Sequence, residues 1–233
     1  MTISSSLSYG LGIGLYSVTD VSRLLKIHPQ KIRRWLGGYT YTSNGEDRTM
    51  PALWDVDLHL PENQIELSFR DMIELRIVKA FLDADFGLHA IRTCLQCARS
   101  LVDYERPFSS GEFRTDGKTI FLRSIEESGE PKLLDLKSKQ YVFAKVVEQS
   151  FKDLDLEQGL VARWRPYRGK ESIVIDPMRA FGQPVAALSG VPTVTLAEAV
   201  AAEGSESKVA LLYEVDVAIV RDAVKFQKEL MAA

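Results

Sequence analysis

The residues able to move protons or hold metals are few. There are three histidines, His28, His59 and His89, and none is arranged with a serine or cysteine as a nucleophile and its base. The sequence holds no G-x-S-x-G, no glycine-rich phosphate loop and no H-E-x-x-H. It therefore offers no recognisable hydrolase, nucleotide-dependent or zinc-protease chemistry. Glu126-Glu127 is a carboxylate pair in a stretch that reads as a solvated turn. Cys94 and Cys97, with His89 nearby, lie on one helix face and could ligate a soft metal. No second such pair exists, so buried thiols are the simpler reading, because free cysteine packs as a small apolar side chain. No enzymatic activity, metal or cofactor is expected.

Charge that could meet a polyanion is concentrated. From Ser22 to Gly45 there are five bases, Arg23, Lys26, Lys31, Arg33 and Arg34, and no acid. From Glu198 to Glu229 there are seven acids against four bases. The net charge is only −3. The asymmetry suits a regulator with one end on phosphates and the other elsewhere. A second basic stretch, Ala162-Arg-Trp-Arg-Pro-Tyr-Arg-Gly-Lys, interleaves four bases with two aromatics. It suits phosphate or an acidic partner. An edge strand with its arginines laid along apolar surface is an equal alternative.

The elements around the first basic cluster follow from local signals. Thr19 is placed to cap a helix, and Val21, Leu24 and Leu25 form its apolar stripe. Lys26-Ile27-His28 reads as a tight turn plugged by Ile27. Pro29 suits the first position of a second helix. In that helix Ile32, Trp35 and Leu36 face inward, Gln30, Lys31, Arg33 and Arg34 face outward, and Gly37-Gly38 ends it. Two short helices across a tight turn, the second one basic, can lay a recognition helix in the major groove. Tyr39–Thr42 suits a strand and Asn44-Gly45 a hairpin turn. Arg48 falls on the return strand of this expected wing. The candidate DNA-contacting residues are Thr19, Gln30, Lys31, Arg33, Arg34, Tyr39 and Arg48. A solvated basic face on a helical hairpin is the alternative.

Further on, Ser68 and Asp71 spell a capping box ahead of Phe69, Met72, Ile73, Ile77, Ala80 and Phe81 at helical spacing. Gly87 interrupts the pattern, and Leu88, Ile91, Leu95, Ala98 and Leu101 resume it. These stripes are core or, in part, the seam of a homodimer. A dimer is expected because two such units on a palindrome, about 34 Å apart, are the common solution. Asp116-Gly117 reads as a hairpin turn before a β-rich strand. Leu133–Leu136 with Gln140–Phe143 reads as a second hairpin, ahead of a helix over Val142–Phe151. Ser172–Pro177 suits a strand. Thr195 and Glu198 are expected to cap a helix over Leu196–Ala202, ended by Gly204. Ser205–Leu212 gives another helix, and Asp216 caps a last one carrying Val217, Val220, Val224 and Leu230. Lacking a basic face, this three-helix end reads as a protein-contact module.

The 233 residues, 45% hydrophobic and 26% charged, can bury a core unaided. The expected fold is mainly helical α+β in three parts. These are a winged helix-turn-helix with its helix pair over 1–103, a β-hairpin connection over 104–160, and a helical module over 161–233. No apolar run nears the ~18 residues of a membrane span, and the start has no basic leader. A cytoplasmic location is expected.

Residues 16–36, the wing, and the run LSFRDMIELRIVKAFLDADFGLHAIRTCL together resemble the DNA-binding half of MerR-type regulators. That family usually carries Gly where this chain has Lys26, and Ser or Asp where it has His28. The C-terminal run carries Gly182-x-Pro184-Val, Gly190-x-Pro192-Thr193, Tyr213-x-Val215 and Val220-x-x-Ala223-x-x-Phe226. It resembles a bacterial family long labelled a domain of unknown function, whose members resemble VapB-type antitoxins that pair with PIN-domain ribonuclease toxins. The two resemblances cover about three quarters of the chain. They imply a toxin partner, occlusion of an acidic metal-dependent nuclease site, and autoregulation at operator DNA. Arg163, Arg165 and Arg168 are then candidates for pairing with toxin carboxylates. The alternative is a MerR-like regulator that senses a small molecule.

Overall fold

In a computed structural model of the chain, residues 13–43, 45–59, 65–102, 105–128 and 136–232 are described. The start of the chain, Asn44 and residues 133–135, where some of the readings above fall, lie outside them. In chain order the elements are β1 (Tyr16–Ser17), α1 (Val18–Leu25), α2 (Pro29–Gly37), β2 (Tyr39–Ser43), β3 (Glu46–Met50), β4 (Leu58–His59), β5 (Ile65–Leu67), α3 (Phe69–Asp83), α4 (Leu88–Leu101), α5 (Gly111–Ser128), α6 (Leu136–Phe151), β6 (Leu154–Glu157), β7 (Leu160–Trp164), β8 (Ile173–Ile175), β9 (Pro184–Ala186), α7 (Thr193–Glu203), α8 (Glu206–Leu212) and α9 (Val217–Met231). This is a mainly helical α+β fold, as expected. The elements group into two compact units, each built from separated stretches rather than consecutive segments. The first draws on 1–29, 58–69 and 162–233, and the second on 30–57 and 70–161. No helix among the described residues is long and apolar enough to cross a membrane.

In the first unit, β1 pairs with β5, and β5 with β4. Ile173, Val174 and Ile175 of β8 are all buried, and β8 runs antiparallel to β9 and meets β7 at Trp164–Ile175. Leu196 of α7, Val209 and Ala210 of α8, and Val220 and Ala223 of α9 form one apolar core. Tyr167, Ile173 and Phe226 form another, against which Leu24 of α1 and Leu230 pack. The helix ends follow the sequence signals closely. Gly204 takes the left-handed conformation after α7, Ser205 Oγ accepts from Lys208 N, and Asp216 Oδ1 accepts from Ala218 N at 2.6 Å. Two caps differ from expectation. Ser17, not Thr19, caps α1, in a reciprocal box with Asp20. That box takes the first orphan N–H groups and leaves Thr19 exposed within the helix. Likewise α7 begins at Thr193 behind Pro192, so Thr195 lies inside it. The Thr193 hydroxyl donates to Pro184 O and accepts from Gln227 Nε2 at 2.7 Å, which pins the start of the helix three residues early.

The second unit is organised by phenylalanines. Phe143 stacks on Phe81 at 4.6 Å and on Phe121 at 4.4 Å, and Phe108 meets Phe113 at 4.5 Å. Helix α3 is enclosed: Met72, Ile73, Leu75, Ile77 and Val78 are all buried, on more than one face. The stripe residues Phe69, Met72, Ile73, Ile77 and Phe81, with Ile91, Leu95 and Ala98 of α4, are therefore core within one chain rather than a free seam. The segment expected as a β connection is largely helical. Asp116-Gly117 is no hairpin turn but lies in the middle of α5. Buried Phe113, Ile120, Phe121 and Ser124 share a helical stripe with Gly117, whose missing side chain faces Phe143 and Val147 of α6. Burial of that stripe outweighs the local turn signal. Gln140–Phe143 is also helical, because α6 starts at Leu136 and runs unbroken through Phe151. Glu126-Glu127 falls in α5 rather than in a turn.

Candidate nucleic-acid interface

Lys26 ends α1 in the left-handed conformation at φ 54°, and Ile27 N donates back to Ser22 O at 3.1 Å. Ile27 is buried and His28 exposed in the short turn before Pro29. In α2, Ile32, Trp35 and Leu36 are buried, while Gln30, Lys31, Arg33 and Arg34 are exposed. The 3.6-residue period makes this split, and the apolar side fixes the rotation of the helix. Gly38 follows at φ +70°, and a Cβ there would lie 2.8 Å from Met50 O. Only glycine permits both the sign of φ and the close approach of β3.

The hairpin is fully paired from Tyr39–Met50 to Ser43–Glu46. Alternation puts Tyr39, Tyr41 and Arg48 on one face, with Arg48 opposite Tyr41. The Arg34 guanidinium lies 3.9 Å from the Tyr39 ring centroid, so the last basic side chain of α2 is stacked on the hairpin base. The Tyr39 and Tyr41 rings are 5.9 Å apart. Gln30, Lys31, Arg33, Arg34, Tyr39 and Arg48 thus all lie on one α2–hairpin segment of the second unit. Thr19, in α1, belongs to the first. Sequence reasoning missed Tyr41, although the two-residue strand period selects it together with Tyr39.

The return chain after β3 is held by three arginines seven residues apart. Arg92 donates to Ala52 O at 3.2 Å, Arg99 to Leu53 O at 3.1 Å, and Arg106 to Asp55 O. Burial lowers the Arg92 and Arg99 pKa values, and for Arg99 the nearby Arg106 charge adds to this. Leu53 N also donates to Trp35 O at 2.7 Å, which closes the C-terminal end of α2 against this segment. Arg106 is itself buried and bonds Asp71 Oδ1 at 3.0 Å and Asp57 Oδ1 at 2.9 Å. Trp54 Nε1 donates to the same Asp71 oxygen at 2.8 Å. Glu74, one turn along α3, is also fully buried and accepts from Ser109 N at 2.7 Å. Burial pushes its carboxyl up to about 7. The sequence marks Asp71 only as a helix cap; in the structure its carboxylate also joins Trp54, Arg106 and the Asp57 N–H.

The second basic stretch is largely answered from within its own unit. Arg168 is exposed, and its Nη2 meets Glu229 Oε1 at 2.6 Å, a bond that raises the Arg168 pKa. Lys170 Nζ meets Asp222 at 2.9 Å. Partial burial pushes the Asp222 pKa up, but the Lys170 and Ser172 bonds hold it below its ordinary value. Arg165 lies 3.9 Å from Glu171, and Arg163, half-buried in β7, also has partners in the chain. Tyr167 has the Arg168 and Lys170 cations over its ring at 5.3 and 5.2 Å.

Cys94 and Cys97 are buried and not joined in a disulfide, and burial pushes the Cys94 thiol up. Among the described residues no group of three His, Cys, Asp or Glu side chains is placed to hold a metal ion.

No family model matches the sequence. A Mycobacterium tuberculosis protein described as "Putative antitoxin VapB45" is 28% identical over 194 residues, which are 77% of this chain and 79% of that protein. The crystal structure of Rv2018 from Mycobacterium tuberculosis matches at a TM-score of 0.72 and 25% identity, over 92% of this chain and 99% of that one.

Proposed function

We propose that this chain is the antitoxin of a type II toxin–antitoxin pair, which neutralises a PIN-like ribonuclease and represses its own operon. The antitoxin role is supported by the likeness to the mycobacterial protein. Operator binding is assigned to α2 and the hairpin. The observation that carries it is the exposed row Gln30, Lys31, Arg33 and Arg34 on a helix whose other side is buried, with Arg34 seated on Tyr39. Lys31 and Arg33 would meet phosphates or base edges. Tyr39, Tyr41 and Arg48 would rest on the backbone. Thr19 would add a contact from α1. A homodimer on a palindrome would supply the second half-site.

Arg163, Arg165 and Arg168 would pair with toxin carboxylates only by giving up partners they already have. The toxin surface is therefore not expected to be mainly electrostatic on this side. The test is twofold. The chain and the product of the neighbouring gene should co-elute when co-expressed, and the chain should shift its own promoter fragment with strong salt dependence. Failure to co-elute removes the antitoxin reading. A shift insensitive to salt removes the assignment of α2.

A further inference from the structure

A cavity of about 280 Å³ opens within the first unit, among α1, the start of β9, α7 and α9. Its size suits a ligand smaller than a drug molecule. One wall rests on the turn over Ala180–Gly182, where Ala180 and Phe181 are held at φ 46° and 55°, a region that side chains disfavour. Phe181 O accepts from Leu15 N at 3.2 Å, and Gly182 O from the buried Tyr16 hydroxyl at 2.7 Å. Arg179 Nη1 donates to Ala187 O at 2.6 Å and ties this turn to the next. The Phe181 ring stays exposed, as does Met178, whereas Leu15 and Tyr16 line the cavity. Strain that the surroundings over-determine marks functional positions.

The charged groups of the cavity are opposite in sign and short of partners. Asp20 and Arg23 stand three residues apart on α1, on one helix face, and do not pair with each other. Ser17 N and Oγ donate to Asp20 Oδ2 at 3.0 and 2.6 Å, and Oδ1 takes no donor among the described residues. The Arg23 guanidinium likewise has no acceptor among them. By contrast, exposed Arg168, Lys170 and Arg221 of the same unit each meet a carboxylate. Gln227 Nε2 donates to Thr193 Oγ1 at 2.7 Å, which leaves Gln227 Oε1 to accept. Leu24, Val194 and Leu230 supply apolar surface beside these groups.

We propose that this cavity binds a small zwitterion with an apolar body, an α-amino acid of the leucine or methionine type. Its carboxylate pairs with Arg23, whose planar fork suits two carboxylate oxygens. Its ammonium donates to Asp20 Oδ1 and Gln227 Oε1, and its side chain covers Leu24, Val194 and Leu230. A simple anion would meet the Asp20 charge, and a simple cation the Arg23 charge. A wholly apolar ligand would take water from both charges and replace it with nothing. The site is independent of the antitoxin reading and needs neither toxin nor operator.

The experiment titrates L-leucine and L-methionine into the full-length chain by calorimetry and follows thermal melting as their concentration rises. Saturable binding at one site and a rising melting temperature are expected. N-acetyl-leucine, which lacks the ammonium, and leucinamide, which lacks the carboxylate, are each expected to bind roughly tenfold more weakly or worse than leucine. Arg23→Gln is expected to lose leucine affinity by a similar factor. The free variant should melt with the parent, because Arg23 is exposed and unpaired. Absence of binding by both amino acids at millimolar concentration overturns the site. Binding of either analogue as tight as that of leucine overturns the zwitterion. Leucine affinity unchanged in R23Q places the ligand elsewhere and overturns the assignment to this cavity. The analogue comparison uses only the parent chain, so it decides the matter even where the variant folds poorly.

Discussion

The α2–hairpin surface and the Phe181 turn both present side chains to solvent, by opposite means. On α2 the exposed row is polar and mostly charged, and the left-handed position that ends the helix is a glycine, Gly38. Around Phe181 the exposed residues are apolar, and the left-handed positions are Ala180 and Phe181. The first display is free of conflict: solvated charges stay in water and a relaxed backbone turns them outward. The second is unfavourable twice over, in backbone and in apolar exposure. A surface that must be held against its own preferences needs rigid supports, and Tyr16, Leu15 and Arg179 supply them. A surface of charges needs only a fixed helix rotation, which Ile32, Trp35 and Leu36 give.

The contrast is broken most forcibly by removing the support of the charged surface. Asp71→Ala strips buried Arg106 of one carboxylate and Trp54 of its acceptor. A loss of about 3 kcal/mol or more is expected in denaturant unfolding, with loss of operator binding. Gly38→Ala tests whether the relaxed turn depends on glycine. The clash with Met50 O and the positive φ predict a loss of about 1–2 kcal/mol in the same assay. Arg33→Ala and Arg34→Ala address the display itself. Each is expected to reduce the log–log salt slope of operator binding by about 0.9 in a mobility-shift series, Arg33→Ala with little change in melting temperature. Arg34→Ala is expected to disturb the hairpin as well, through Tyr39.

Glu74 gives a subtler distinction between the two buried carboxylates of α3. Its folded value of about 7 lies above its ordinary 4.5. The folded state therefore holds the proton more tightly, and stability falls as pH rises from about 4.5 to about 7, then levels off. Glu74→Gln is expected to remove this slope in thermal melts across that window and to melt above the parent at pH 8. The smallest effect belongs to Lys26→Gly, which relaxes a left-handed lysine. A gain of up to about 1 kcal/mol is expected, offset by the freedom glycine gains in the unfolded chain.

The legible parts of the fold are those set by signals within a few residues. Pro29 at the start of α2, the Gly37-Gly38 stop, the paired strands that Gly45 lies between, and the cap at Asp216 all act locally, and their elements fall where the sequence puts them. Helix α5 was illegible because Asp116-Gly117 is a strong local turn signal, overruled by a stripe whose partners, Phe143 and Val147, lie in another helix. The supports of the candidate site were illegible for a similar reason. The seven-residue spacing of Arg92, Arg99 and Arg106 is visible in the sequence, but their acceptors are backbone carbonyls forty or more residues away. The turn at Phe181 is held by Tyr16, whose hydroxyl donates to Gly182 O, 166 residues away. Nothing near residue 181 announces it.

The discontinuous path of the chain has a consequence for synthesis. The ribosome delivers α1 early, yet the core against which Leu24 packs includes Tyr167, Ile173 and Phe226. All of 30–57 and 70–161 emerges in between. The second unit can therefore close while α1 waits, and a product that terminates before 162 carries an α2 with its own scaffold but an α1 without its core. Neither unit can be isolated by a single cut, so truncation is a poor way to separate the two surfaces, and point substitutions are the appropriate tool.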